Sequence, residues 1–390
     1  MKFKLFHPKN EFLAIDCSDS NIRALAFRYS DGALTFKKFF SGTPKEDAGR
    51  FLTELKPHPD TKVLFLYDNS TAATFGGFVR LTKSDSSEPL TGEDFENFLF
   101  HAVKQFSNRF REEAKRKLGT DDVNIVLANN RFLNLRLDGR QVVNPVGIRA
   151  KFAELQMEQT FLVRNFLNVL HDSLSEVKQL FHIESTGALS DLAGRYELEK
   201  KVLLAEVLES RTRFMGLGGK QRYFGAVSFP KMQERGESAF GFGAVLGAVS
   251  SRFGVDREVA RAMLARYAAG DMSRQFSFAF RRAIQPAVSV FWGETGKFMK
   301  KDDFMVIAAD VPFLRPAGEG ITPLPYRVFS FDGLAKDINI AVSAPRFFPR
   351  EAFSPVFLSA LVAYLNRTGD NYLNTLAREK VSWLLPQNSA

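Results

Sequence analysis

One cysteine, Cys17, stands in a chain of 390 residues, which removes a disulfide framework and a zinc–thiolate cluster and points to a reducing compartment. Histidine is nearly as scarce. His7, His58, His101, His171 and His182 are scattered, and none forms HExxH or an i,i+4 pair, so a helix-borne metal site is not expected. No apolar run approaches the roughly 18 residues of a membrane span. The segment MKFKLFHPKNEF lacks the apolar core and small-residue cleavage site of a signal peptide. Catalytic arrangements are also missing, because Cys17 sits at a hairpin with no base placed beside it. Gly216-Leu217-Gly218-Gly219-Lys220 and Gly293-Glu294-Thr295-Gly296-Lys297 look like phosphate loops, but neither has the GxxxxGK[ST] spacing between a strand and a helix. Both read as turns.

What the chain has in quantity is phenylalanine: 40, against 8 tyrosines and 2 tryptophans, which reads as core filling. The length exceeds a single core and implies two lobes or more. A net charge of +9 favours acidic partners: nucleic acid, anionic lipid or an acidic peptide. No aromatic–basic ladder supports nucleic acid. The densest charged block, Arg109 to Lys117, mixes both signs at helical spacing and reads as a solvated helix face.

Along the chain, FLAIDCSDSNIRALAF (12–27) reads as a hairpin, with a strand ending at Asp16 and a second beginning at Ile22. A third strand (34–40), a helix (48–56) and a strand (62–68) complete a compact α/β unit. Polar TKSDSSEPLTGE (82–93) reads as a linker, and a long amphipathic helix with Phe95, Leu99, Val103 and Phe106 on one face follows, ended by Gly119. Strands at 123–129 and 132–138 lead through an Asp138-Gly139 turn to an elbow, Asn144-Pro145-Val146-Gly147, and residues 83–182 read as an inserted module. From Lys201 the first unit's order recurs: two strands joined at Gly216–Gly219, helices to residue 300 with a kink at Pro286, a buried strand (304–310) and a closing helix (354–367).

Two repeated α/β units with a module inserted in the first resemble the actin-like superfamily, and more narrowly the FtsA cell-division family. The resemblance is carried by Ala14-Ile15-Asp16-Cys17-Ser18-Asp19-Ser20, by the Asn144–Gly147 elbow and by element spacing across nearly the whole chain. The PilM-type pilus-assembly proteins share the core and are the second candidate. The resemblance implies a two-lobed α/β fold of duplicated ribonuclease-H-like units with an inserted strand-helix subdomain in the first lobe. The expected domains are 1–82, the insert 83–182, a second lobe with return to the first over 183–372, and a short tail 373–390. It further implies an ATP cleft, self-association through the insert, binding of the acidic tail of a tubulin-like division protein, and a cytoplasmic place with peripheral membrane contact.

Carried over residue by residue, the cleft would use Asp16, Ser18, Asp19 and Ser20 of the first hairpin, Glu206 and Thr212 of the second, and Ala309 of the adenosine loop. Asp16 and Glu206 would share Mg²⁺. Each element departs from the family pattern. Ser18 replaces a glycine, Val207 and Leu208 stand where backbone must approach phosphate, Arg261 and Leu264 replace the ribose-contacting Glu and Lys, and Ala308-Ala309 replaces a glycine pair. The expectation is a division scaffold with weak or lost ATP hydrolysis and no required cofactor; the alternatives are an ATP-binding protein with a rebuilt cleft and a PilM-like scaffold. At the C-terminal end, LNTLAREKVSWLL (373–385) places Leu373, Leu376, Val381 and Leu384 on one face, expected to pack on the second lobe or touch a membrane.

Overall fold

The computed structural model describes residues 11–18, 21–44, 48–83, 87–174, 176–177, 179–196, 201–220, 230–268, 270–300, 303–308, 326–329, 331–346 and 348–367. β1 (Glu11–Cys17) is an unbroken apolar run whose residues from Phe12 to Cys17 are all buried, as a central strand requires. β2 (Asn21–Ser30) turns back through Asp31-Gly32, with φ of 50° and 78°, the two-residue turn whose twist suits a hairpin, into β3 (Ala33–Pro44). α1 (Ala48–Leu55) buries Ala48, Phe51, Leu52 and Leu55 and leads to β4 (Lys62–Tyr67).

β5 (Ala72–Thr82) precedes α2 (Gly92–Leu118), which opens with a capping box in which Thr91 and Asp94 bond reciprocally and closes on Gly119 at φ 58°. The helix buries Phe95, Leu99, Ala102, Val103 and Phe106 among Leu135, Leu155, Met157 and Phe161. Those partners lie on β6 (Ile125–Leu137) and, beyond the two-residue β7 (Arg140–Gln141), on β8 (Phe152–Val163). β6 is one continuous strand where two were expected, with register shifts at Leu127/Asn129 and Phe132/Asn134 and with Asn129, Asn130, Arg131 and Asn134 all paired to β8. α3 (Arg164–Ser173) follows.

The elbow is tied down by its polar groups. The Asp138 carboxylate accepts from Lys151 N (3.0 Å) and Phe152 N (3.0 Å), Asn144 Oδ1 accepts from Val146 N, and Gly147 N donates to the Leu90 carbonyl. Those backbone donors hold the Asp138 carboxyl below the usual carboxylate range. Val143, Val146 and Ile148 are left exposed, by 85%, 42% and 38%.

β9 (Gln179–Glu184) and α4 (Ser185–Tyr196) lead to a second meander of β10 (Lys201–Val207), β11 (Thr212–Lys220) and β12 (Pro230–Ser238). Three helices follow, α5 (Phe242–Phe253), α6 (Arg257–Ala268) and α7 (Arg274–Phe298), then β13 (Asp303–Ala308), β14 (Tyr326–Phe329), α8 (Phe331–Asp337), β15 (Ala341–Ser343) and α9 (Pro355–Arg367). The six-stranded sheet runs β15-β3-β2-β1-β4-β9, the five-stranded sheet β12-β11-β10-β13-β14 and the four-stranded sheet β5-β8-β6-β7. Apart from edge strand β15, the two larger sheets follow one permutation: an antiparallel meander read third-second-first, continued by a fourth and a fifth strand. β4 and β9 are parallel, as are β10, β13 and β14. The chain divides into two compact units, Met1–Phe12 with Asp16–Pro44 and Ala188–Ser359, and Leu13–Ile15 with Lys45–Gly187 and Ala360–Ala390.

Two expected turns are not turns. Gly216 to Lys220 lies inside β11, where a Cβ on Gly216 would stand 2.5 Å from the Arg235 guanidinium, and Gly293 to Lys297 lies inside α7. Pro286 leaves α7 running on as one helix to Phe298, since it forfeits only the bond to the Arg282 carbonyl. Tail residues 373–385 lie outside the described residues.

Candidate functional site

In each repeat the first two strands are joined by a short turn, and each first strand ends in a carboxylate. Asp16, next to last in β1, is fully buried. Its Oδ1 accepts from Ser18 N (3.0 Å) and Ser18 Oγ (2.5 Å), closing the turn, and its Oδ2 meets Arg23 Nη2 on β2 at 2.6 Å. Both carboxylate oxygens therefore have protein donors.

Glu206 takes the same place in the second repeat, next to last in β10 and 2% exposed. Directly across the ladder stands Arg213 on β11, and Arg213 Nη1 lies 3.6 Å from Glu206 Oε2. Arg213 is itself 1% exposed, and its Nε donates to Glu237 Oε1 at 3.2 Å. The spacing from acid to arginine is the same in both hairpins, since 23 − 16 and 213 − 206 both give seven. Neither arginine was singled out in the sequence; the matching seven-residue interval across two turns is the signal that could have found them.

The second turn is occupied as well. Leu208 N donates to the Arg211 carbonyl, while the Leu208 and Glu209 carbonyls accept from Phe242 N (2.8 Å) and Gly243 N (2.7 Å) at the start of α5. Donors that a helix N-terminus could offer an anion are thus taken by the chain itself. The approach is close enough that a Cβ on Gly241 would lie 2.3 Å from the Glu209 carbonyl oxygen. Val207 and Leu208 are buried, and Thr212 Oγ1 donates to the Phe240 carbonyl at 2.8 Å. Arg261, at the expected ribose-contacting position, pairs with Glu209 (3.6 Å), as does Arg257 (2.8 Å). Asp19, Ser20 and Ala309 lie outside the described residues.

A nucleotide phosphate with Mg²⁺ needs open backbone donors and carboxylates free to hold the cation's waters. The described residues do not fit that need. Each acid is already neutralised by a guanidinium that would repel a divalent cation, and no group of three or more His, Cys, Asp or Glu side chains among the described residues is arranged to hold a metal. Also among the described residues, no helix is long and apolar enough to cross a membrane.

No family model and no curated protein matches this chain. Solved structures do. A PilM-PilN type IV pilus biogenesis complex aligns over 96% of this chain and 99% of that one with a TM-score of 0.51 at 14% identity. A Bacteroides thetaiotaomicron protein with actin-like ATPase fold and unknown function aligns over 93% and 99% with a TM-score of 0.36 at 6% identity. MreB 5 of Spiroplasma citri bound to AMPPNP aligns over 91% and 96% with a TM-score of 0.39 at 8% identity. Likeness at such identities speaks to fold alone, and with the repeated strand permutation it assigns this chain the actin-like α/β fold.

Proposed function

We propose that this chain is a nucleotide-independent scaffold that acts through protein contacts. The observation that carries the reading is the matched closure of the two hairpins, Asp16 by Arg23 and Glu206 by Arg213. The alternative, Asp16 and Glu206 sharing Mg²⁺, would require both carboxylates to leave their arginines. For the fully buried Glu206–Arg213 pair, removing one member would cost about 3–5 kcal/mol. Calorimetry with Mg-ATP at moderate salt tests this directly. No heat and no thermal shift are expected; micromolar binding would overturn the reading.

The FtsA resemblance suggests the partners: a second copy of the chain, met through the insert, and the acidic tail of a tubulin-like division protein, drawn by the net charge of +9. Supporting the first is the elbow, which holds Val143, Val146 and Ile148 exposed on a hydrogen-bonded frame. A cytoplasmic place beside the membrane follows from the same reading. The likeness to a PilM-PilN complex suggests a second assignment, to an assembly complex of the pilus type. Pull-down with a tubulin-like division protein separates the two: capture that an acidic-tail deletion abolishes favours the division role, and no capture favours the other.

A further inference from the structure

α7 buries one stripe, Phe280, Ile284, Val288, Phe291 and Thr295, against the five-stranded sheet's core and, among the described residues, leaves Phe278 and Val290 on the opposite face exposed. At 3.6 residues per turn that outer face carries Phe278, Arg282, Pro286 and Val290 in one i,i+4 row. Phe278 is 63% exposed and Val290 54%, and about 18 Å of helix separates them. Phe276, on the helix flank at 38% exposure, rests on Phe253 at the end of α5 with ring centroids 5.3 Å apart.

Along α7 itself the charge beside this row has one sign. From Arg274 to Gly293 the helix holds Arg274, Arg281 and Arg282 and no acid, and all three arginines are exposed. Arg252, at the end of α5, and Arg266, near the end of α6, lie in the same helical layer. The acids of this layer are Asp271, within 3.6 Å of Arg266, Glu294, bonded to Lys297 (2.5 Å), Asp256, which caps the start of α6 through Val259 N, and the exposed Glu258 in the first turn of α6. Arg281 also donates to the Tyr267 hydroxyl, which fixes its position on this face.

We propose that the outer face of α7 docks on an anionic membrane surface, with Phe278 and Val290 entering the interface and Arg274, Arg281 and Arg282 meeting lipid phosphates and carboxylates. A single helix face is convex and suits a plane better than it suits a peptide, which needs a groove or a sheet edge. Apolar side chains in a row that holds Arg282 and is flanked by Arg274 and Arg281, rather than a basic stripe alone, match a headgroup–acyl boundary. The proposal stands apart from the nucleotide reading, so either can fail without the other.

The test is sedimentation of the full chain with vesicles of phosphatidylcholine alone and with about a third phosphatidylserine, against Phe278→Ser, Arg281→Gln with Arg282→Gln, and Val123→Ser, at a position 69% exposed, as a control. The full chain should pellet with the anionic vesicles only, and each arginine removed should weaken binding about fivefold. Phe278→Ser should weaken it about tenfold, Val123→Ser should not, and added salt should release the protein. All four proteins should melt within a degree or two of one another, about what a surface substitution allows. Equal pelleting by the Phe278 and arginine variants would place membrane contact elsewhere and overturn the proposal, as would no pelleting at all. Loss of vesicle binding on adding polyglutamate while Phe278→Ser still pellets would make this an acidic-peptide site and overturn it too.

Discussion

The two hairpins solve one electrostatic problem at different depths. In the first, Asp16 is shared between Ser18 and an arginine 17% exposed, so water stands behind the pair. In the second, the side chains of Glu206 and Arg213 are each 2% exposed, and Arg213 also pairs with Glu237, whose side chain is 36% exposed. The same acid–arginine interval therefore acts as a local clasp in one repeat and as a buried relay to the surface in the other. Burial, more than distance, decides what each is worth: the shorter pair is the wetter one.

Removing the buried arginine should break the comparison most sharply. Arg213→Ala leaves Glu206 without its guanidinium in the core, and urea unfolding should show a loss of about 3–5 kcal/mol. Glu206→Leu combined with Arg213→Met should recover most of it, because a packed apolar pair replaces two desolvated charges. A loss under about 1 kcal/mol in the single variant would mean water reaches Glu206 and the depth difference is unreal.

Arg23→Ala should cost less, about 1–3 kcal/mol, since Ser18 and solvent remain to satisfy Asp16. A cost equal to that of Arg213→Ala would erase the distinction between clasp and relay.

The smallest effect concerns acid. The second repeat adds a further buried pair, Asp303 at the start of β13 with Arg235 on β12. Burial alone would raise the Asp303 carboxyl, but hydrogen bonds from Arg235 and Lys300 N outweigh it and hold it below the usual carboxylate range. A carboxyl lowered by folding contributes stability that is present above the unfolded value, about 3.9, and is lost as pH falls through the folded value. Asp303→Asn should therefore flatten the decline in stability below about pH 4. An unchanged acid slope would remove Asp303 from the comparison.

Much of the fold could be read from residue order, because its strands are continuous apolar runs and its helices are capped or striped. FLAID, KVLFLY and FMVIA announced β1, β4 and β13, and Thr91 with Gly119 bracketed α2. β5 escaped notice because AATFGGFVRLT carries Gly76-Gly77 mid-strand, a pair that reads as a break. The structure explains Gly77, where a Cβ would press on the Phe106 ring at 3.2 Å. The boundary drawn at Lys83 falls after this strand, yet β5 pairs with β8 along its whole length. Gly216 misled for a related reason: its bare backbone serves a long-range approach by Arg235, which local sequence does not display.

At the candidate site, the acids were legible through family resemblance and the arginines were not. Pairing across a ladder depends on register, and register is settled by the turn between strands rather than by either strand alone. The carboxylates of Asp16 and Glu206 could thus be named as metal-facing from their places in the repeat, while the side chains that neutralise them became visible only with Glu206 set opposite Arg213.

The closure of the second turn onto α5 bears on timing. On the proposed reading, in which the chain's own carbonyls take the donors at the start of the helix, a scaffold of this kind would have no internal clock. Its residence in an assembly would follow partner concentration relative to Kd, rising and falling by mass action. Disassembly would then have to come from outside, through dilution, competition or removal of the partner.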